Sequence, residues 1–338
     1  MSIREGTVVT SRIRLARNVA GYNFKSRLFD KQKADEIIYR TYACAKKYAP
    51  FKLYEISKIS PLEARCLKET YVISEALRTN SFSGAAAALD DGSLTVMINE
   101  EDHVREQALE KGFALKKAYM RLAPLDSWLN KNLRFCRDDR WGYLTACPTN
   151  LGTGLRASVM MFLPALTRTD KIGALAEHAK AAGLTVRGAF GEGSDGDGYM
   201  YQVSNEITLG KTEERIINEV QSFIEYAANL EQTNAIVYYN QFTREIDDEV
   251  FRAYGILSNC RIIDFSEFSA LIASLKMGVM LGVIKASEVS ALDDLLVTSR
   301  PAVIAKRLGL QNESVDNGLI DEFRADYSRE CVKKIILP

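Results

Sequence analysis

The chain has 338 residues, 44 basic and 44 acidic side chains, two histidines, six cysteines, 47% hydrophobic and 26% charged residues. That balance excludes a disordered or collagen-like chain, and zero net charge argues against a bulk electrostatic grip on nucleic acid. No apolar run reaches the ~20 residues of a membrane helix, the N-terminus has no signal-peptide core, and scattered cysteines without a CxxC pair point to a reduced, cytoplasmic protein with no zinc pattern.

Residues 7–15 alternate β-branched with polar or basic side chains, which predicts a strand carrying Arg12 and Arg14 on one face. Ala34, Ile37, Ile38 and Tyr42 fall at helical spacing over 31–48. Leu94, Val96 and Ile98 share one face of a strand at 93–98, and the spacing over 104–119 predicts a helix. Residues 142–147 read as a strand running into Pro148 and the loop 149–154. A helix is expected over 169–182, ended by Gly183, followed by strands at 184–187 and 199–209. From Lys211 helical patterns dominate, over 211–242, 245–257, 266–281, 288–297, 301–308 and 317–333. The texture places a boundary near residue 231, inside a long helix, between an α/β domain (1–231) and an all-helical domain (232–338) of a kind that often serves assembly.

Four segments combine charge with turn chemistry. Ser11–Asn18 offers paired guanidiniums that repel unless an anion lies between them, or else a solvated strand face. Asn99–Arg105 puts three consecutive acids, Glu100, Glu101 and Asp102, directly after an apolar strand, where functional loops or helix caps are found. Cys147–Ser158 sets a cysteine before a proline and a glycine-bearing loop, with a buried structural cysteine as the plain alternative. Arg187–Gly198 mixes glycines and acids as a closing loop or a simple surface loop would. Gly210-Lys211-Thr212 fails as a phosphate loop, because Asn205 stands where that motif needs glycine. His103 and His178 read as structural. Together the segments supply Arg12, Arg14, Arg105, Arg156 and Arg187 with the acids Glu101 and Glu192, which suits phosphoryl transfer from a nucleotide.

The pieces S-R-I-R, N-E-E-D-H, C-P-T-N-L-G-T with L-R-A-S, and R-G-x-x-G-E occur in order across roughly 8–231. They resemble the catalytic domain of the phosphagen kinases, the creatine and arginine kinases. The wording of 141–160 is similar to that of the bacterial protein-arginine kinases within that family. The resemblance implies an α/β (α+β) fold, an antiparallel sheet flanked by helices, followed by a helical domain of the dimerisation or phosphoarginine-binding type. It implies ATP as phosphoryl donor, bound through Ser11, Arg12, Arg14, Arg105, Arg156, Ala157, Ser158, Arg187, Gly188 and Glu192, with Tyr71 against the adenine where relatives carry a histidine. Glu101 becomes base and guanidinium clamp, Glu192 its partner on the closing loop, and Cys147 a neighbour of the acceptor guanidinium. Magnesium would rest on phosphates and water, without direct side-chain ligation, with Glu100 and Asp102 as outer contacts. Relatives bind phosphoarginine through R-D-x-x-R-A. The nearest match here is Ile320–Ala325, which keeps Asp321 and Arg324 and so implies weak binding.

Kinases of small guanidines carry a helical domain before the S-R-I-R strand. Here that strand lies near the start of the chain, which would leave the site open to an arginine on a protein surface. The implied activity is therefore ATP-dependent phosphorylation of protein arginine in a bacterial stress response. The implied partners are proteins with exposed arginine, the activator McsA, the repressor CtsR, the Clp protease and a second copy in a homodimer or larger oligomer, with no membrane and no nucleic acid. A kinase of free arginine or another small guanidine is the alternative within the class. A non-catalytic phosphoarginine-binding adaptor is the alternative outside it, and the intact acids Glu101 and Glu192 argue against it.

Overall fold

The structure is a computed structural model that describes residues 5–24, 30–80, 82–188, 197–310 and 317–337. The chain divides into two compact units. One is 10–159 with 204–221, and the other is 1–9, 160–203 and 222–338.

The first unit draws on β1 (Val8–Arg17), α1 (Lys31–Tyr48), β2 (Lys52–Glu55), α2 (Pro61–Glu69), α3 (Glu75–Arg78), β3 (Ala85–Ala88), β4 (Leu94–Ile98), β5 (Val104–Lys111), α4 (Leu115–Leu133), β6 (Arg137–Asp138), β7 (Gly142–Tyr143) and β8 (Leu155–Phe162). Its strands run in the order β2-β3-β4-β5-β1-β8. The pairs from β2 to β1 are antiparallel, and α1 and α4 pack on each other and on the sheet. Asp30 starts α1 by accepting the N–H groups of Gln32 and Lys33, and the helix buries Ala34, Ile37, Ile38 and Ala45.

The spacing over 104–119 predicts a helix, but 104–111 are strand and only 115–119 are helical, as the start of α4. V-R-E-Q-A-L-E-K has a helix-forming composition, yet as β5 it pairs on both edges, Arg105 facing Ala16 of β1 and Met97 of β4. Two ladders of main-chain bonds outweigh a helix preference of a few tenths of a kcal/mol per residue. Within 142–147, only Gly142–Tyr143 is strand.

The second unit contains α5 (Pro164–Arg168), α6 (Ile172–Ala181), β9 (Leu184–Gly188), most of β10 (Met200–Asn205), most of α7 (Glu213–Gln241), α8 (Thr243–Leu257), α9 (Phe265–Leu281), β11 (Lys285–Ala286), α10 (Ser290–Thr298), α11 (Pro301–Arg307), α12 (Asn317–Ile335) and β12 (Ile336–Leu337). The helix expected over 169–182 is α6, and the turn before it, where Asp170 adopts φ +54°, parts it from α5. Phe162, Val250, Leu257, Phe268, Leu275 and Leu292 centre its core. Gly278 lets α9 approach α8, since a Cβ there would lie 2.5 Å from Val250 Cγ1. Residue 231 falls inside the continuous helix α7, and 222–338 shares a unit with 160–203. No helix among the described residues is long and apolar enough to cross a membrane.

Candidate active site

The alternation of β1 buries Ser11, Ile13 and Leu15 and turns Arg12 and Arg14 to the other face. Arg12 Nε donates to Ser158 Oγ of β8 at 3.3 Å. Arg156, on the same face of β8 as Ser158, donates to Ser204 Oγ at 3.0 Å. Asn205 next to it acts like strand main chain: Oδ1 accepts the Ala157 N–H at 2.8 Å and Nδ2 donates to Leu155 O at 3.0 Å. Burial pushes the Arg12 guanidinium down to about 10, and the charges of Arg156 and Arg105 add to this while Tyr71 opposes it. Arg14 is held well below its ordinary value by burial and by Arg12, Arg105 and Arg156, with Glu100 opposing. Arg14 Nε is buried and has no hydrogen-bond partner among the described residues. Burial and like charges thus disfavour the charged forms of Arg12 and Arg14, and a polyanion would relieve that cost.

Beside them, β4 ends in a tight loop. Asn99 takes φ +57°, its Nδ2 donates to Ala34 O at 2.9 Å, and its own carbonyl accepts from Asn80 at 2.7 Å. His103 is an internal post: Nδ1 accepts the Val19 N–H at 3.1 Å, which leaves Nε2 to donate to Asn23 O at 2.8 Å. Asp102 is buried; its Oδ1 accepts from Asn18 at 2.7 Å and from the Ala146 N–H at 2.6 Å, and burial raises its carboxyl. Glu100, with its side chain 1% exposed, accepts from the Ser74 hydroxyl and from one terminal nitrogen of Arg105. Glu101 is 44% exposed and accepts from the other terminal nitrogen at 2.8 Å. The loop thus holds a guanidinium between two carboxylates.

The Cys147 loop is fastened from below. Tyr143 and Gly152 exchange main-chain bonds of 2.7 and 3.2 Å. The fully buried Arg17 donates to Asp126 at 2.7 and 3.2 Å and to Thr153 O at 2.8 Å, and lies 3.6 Å from the Tyr143 ring centre. Cys147 itself is partly exposed, with Sγ 3.0 Å from Thr149 Oγ1.

The structure therefore brings Arg12, Arg14, Arg105, Arg156 and Ser158 together beside Glu100 and Glu101. Tyr71, at φ +63°, is near enough to Arg12 to favour its charge. Ser11 does not join them: its buried hydroxyl donates to Gly112 O at 2.7 Å and accepts the Ala114 N–H at 2.9 Å. The alternation that aligns Arg12 with Arg14 dictates this. Arg187 and Gly188 lie on β9 of the other unit, and Glu192 lies outside the described residues. Arg324 and Asp321 pair with each other, and Arg324 also donates to Ser299 O and Ile263 O at 3.0 and 2.8 Å while only 1% exposed. Ser74, Ser204 and Arg17 escaped sequence reasoning; Asn205 was noticed only as the residue that breaks a phosphate-loop motif. No group of three or more His, Cys, Asp or Glu among the described residues is placed to hold a metal.

Residues 33–234 match the family described as ATP:guanido phosphotransferase, C-terminal catalytic domain. Residues 243–336 match the Protein-arginine kinase McsB C-terminal domain. A protein-arginine kinase of Geobacillus stearothermophilus is 38% identical over 310 residues, 89% of this chain and 84% of its own. One from Bacillus licheniformis is 37% identical over 311 residues, with the same coverage of 89% and 84%. Among solved structures, the duplicated taurocyamine kinase from Schistosoma mansoni with bound transition state analog components aligns with TM-score 0.60 and 28% identity, over 67% of this chain and 33% of that one. Lombricine kinase shares the fold, with TM-score 0.60 and 24% identity over 67% of this chain and 66% of that one.

Proposed function

The chain belongs to the ATP:guanido phosphotransferase family and is a phosphotransferase, and on that premise we propose that it transfers the γ-phosphoryl group of ATP to arginine side chains of proteins. The observation that carries this reading is the juxtaposition of a four-guanidinium anion receptor with an exposed carboxylate, Glu101, that already accepts a guanidinium hydrogen bond.

Each half has its task. The planar forks of Arg12, Arg14, Arg105 and Arg156 pair with phosphate oxygens and keep their charge, so they neutralise the donor and hold it in line. The acceptor is a strongly basic guanidinium, charged throughout the working pH range, and has no nucleophilic lone pair while protonated. Glu101 orients it and takes its proton as the N–P bond forms and the bond from phosphorus to the departing ADP oxygen breaks. In this reading Cys147 borders the acceptor. Magnesium bound with ATP supplies charge neutralisation at the phosphates. Glu100 is committed to Ser74 and Arg105, and Asp102 is fully buried with Oδ1 held by Asn18 and Ala146, so magnesium would be held by the phosphates and water rather than by these side chains.

The match of 243–336 to the C-terminal domain of protein-arginine kinases supports the wider role. In this reading the enzyme is a cytoplasmic homodimer, McsA activates it, CtsR is a target, and phosphorylated proteins pass to the Clp protease under stress. The test of the activity is incubation with ATP, magnesium and an arginine-rich protein, scored as acid-labile phosphate on arginine. Phosphate on free arginine alone would point to a small-guanidine kinase. Phosphoarginine binding without transfer would point to an adaptor.

A further inference from the structure

Arg105 stands between two demands. Its side chain is 14% exposed and lies within electrostatic reach of Arg12 and Arg14. Yet its terminal nitrogens do not face an anion from outside. One is bound by Glu100 and the other by Glu101, at 2.8 Å. The path can be followed inward. Ser74 caps α3 by accepting the Leu77 N–H at 3.1 Å, which fixes its hydroxyl; that hydroxyl donates to Glu100; Glu100 holds Arg105; and Arg105 covers Glu101.

We propose that Arg105 gates the acceptor site: in the free protein its guanidinium occupies Glu101 as an internal stand-in for the acceptor arginine, and the incoming triphosphate draws it off, so that the acceptor binds after the nucleotide. Ser74 and Glu100 are the positioning residues that set where Arg105 rests. This rests on the functional reading above and concerns the order of events at the same site.

The physical basis is a competition between anions. Without nucleotide, Arg105 faces the like charges of Arg12 and Arg14, to which Arg156 is joined, and the two acids are its compensation. A triphosphate neutralises those three charges and offers oxygens to a fourth guanidinium. Because Glu100 and Glu101 bind opposite ends of one planar fork, Arg105 releases Glu101 by losing a single charge-assisted bond while keeping Glu100. Glu101 is then free for another guanidinium. By linkage the effect is reciprocal, so the acceptor tightens nucleotide binding by the same factor.

The test is calorimetric titration of an arginine-containing peptide into the full chain, alone and saturated with a non-hydrolysable ATP analogue and magnesium. In the wild type the nucleotide should tighten the peptide by roughly 10- to 100-fold, the worth of one charge-assisted hydrogen bond. In the double variant Arg105→Ala/Glu100→Gln, which leaves no buried acid unpaired, the peptide should bind the free protein more tightly than it binds free wild type, with a coupling factor near one. Ser74→Ala should reduce the coupling without abolishing nucleotide binding, and Ser74→Thr should restore it. A wild-type coupling factor of one, or unchanged coupling in the double variant, overturns the gate while leaving the kinase reading intact if phosphoarginine still forms. A peptide that never binds, even with saturating nucleotide, overturns both.

Discussion

At the scale of single residues, the proposed role of Glu101 as base is the first to test. Glu101→Gln keeps its shape but removes the base and the ion pair, which should lower turnover by roughly 100- to 10,000-fold while nucleotide affinity survives; near-normal turnover would remove Glu101 from the mechanism. Arg156→Lys tests the guanidinium cluster. Lysine keeps the charge but cannot bond Ser204 and a phosphate oxygen at once from a rigid fork, so kcat/KM should fall by at least about 10-fold. Full activity in Arg156→Lys would show that phosphate does not need that fork. The cysteines offer a third test. Burial pushes up the thiols of Cys44, Cys136, Cys260 and Cys331, and Cys66 is buried. Cys147 should therefore react first with iodoacetamide, with loss of activity, and ATP plus an arginine peptide should protect it. Inactivation that tracks another cysteine would move the acceptor site elsewhere.

The elements show what local sequence conveys and what it does not. The period of two in β1 put Arg12 and Arg14 on one face, and three acids after an apolar strand marked the loop that holds Glu101. The span of α1 followed from its apolar spacing alone. By contrast, the spacing of β5 predicts helix, and its glutamates, glutamine, alanine and lysine favour helices too, whereas its fate is set by two neighbouring strands. Ser204 and the strand-like role of Asn205 are hidden for the same reason, since each meets β8 some 48 residues away in the chain. Packing between elements also yields a pH dependence. Glu231 of α7 accepts the N–H groups of Ala165 and Leu166 at 2.8 and 2.9 Å, and burial pushes its carboxyl up to about 7 despite those bonds. The folded chain therefore holds a proton that the unfolded chain sheds near its ordinary value of 4.5. The associated stability is intact below 4.5 and is lost as pH rises through about 7, a difference of roughly 3 kcal/mol. Urea unfolding at pH 5 and pH 8 should show Glu231→Gln losing less stability over that interval than the wild type. Equal losses would contradict the buried proton.

At the scale of the whole molecule, the helical residues after the catalytic match hold a second expectation. Relatives with R-D-x-x-R-A present two arginines, whereas here Ile320 is buried and Arg324 is closed in by Ser299 O, Ile263 O and Asp321. Phosphoarginine should bind this region weakly, and Ile320→Arg should tighten it by roughly 10- to 100-fold. Tight binding by the wild type, unchanged in Ile320→Arg, would mean that other side chains make the pocket. The unit that contains this region also contains 160–203, a grouping no local pattern announces, because it arises from a core shared by residues far apart in sequence.

The central claim joins a guanidinium cluster that holds a triphosphate to a carboxylate that handles the acceptor. The most direct measurement is phosphorus NMR of the full chain with ATP, magnesium and an arginine-rich protein, run beside Glu101→Gln. The account predicts a phosphoramidate resonance that grows as ATP falls, disappears in acid, and is absent or slowed by at least about 100-fold in Glu101→Gln, although that variant still broadens the ATP signals on binding. Equal phosphoramidate formation in both proteins, or phosphate found only on hydroxyl groups, would contradict it.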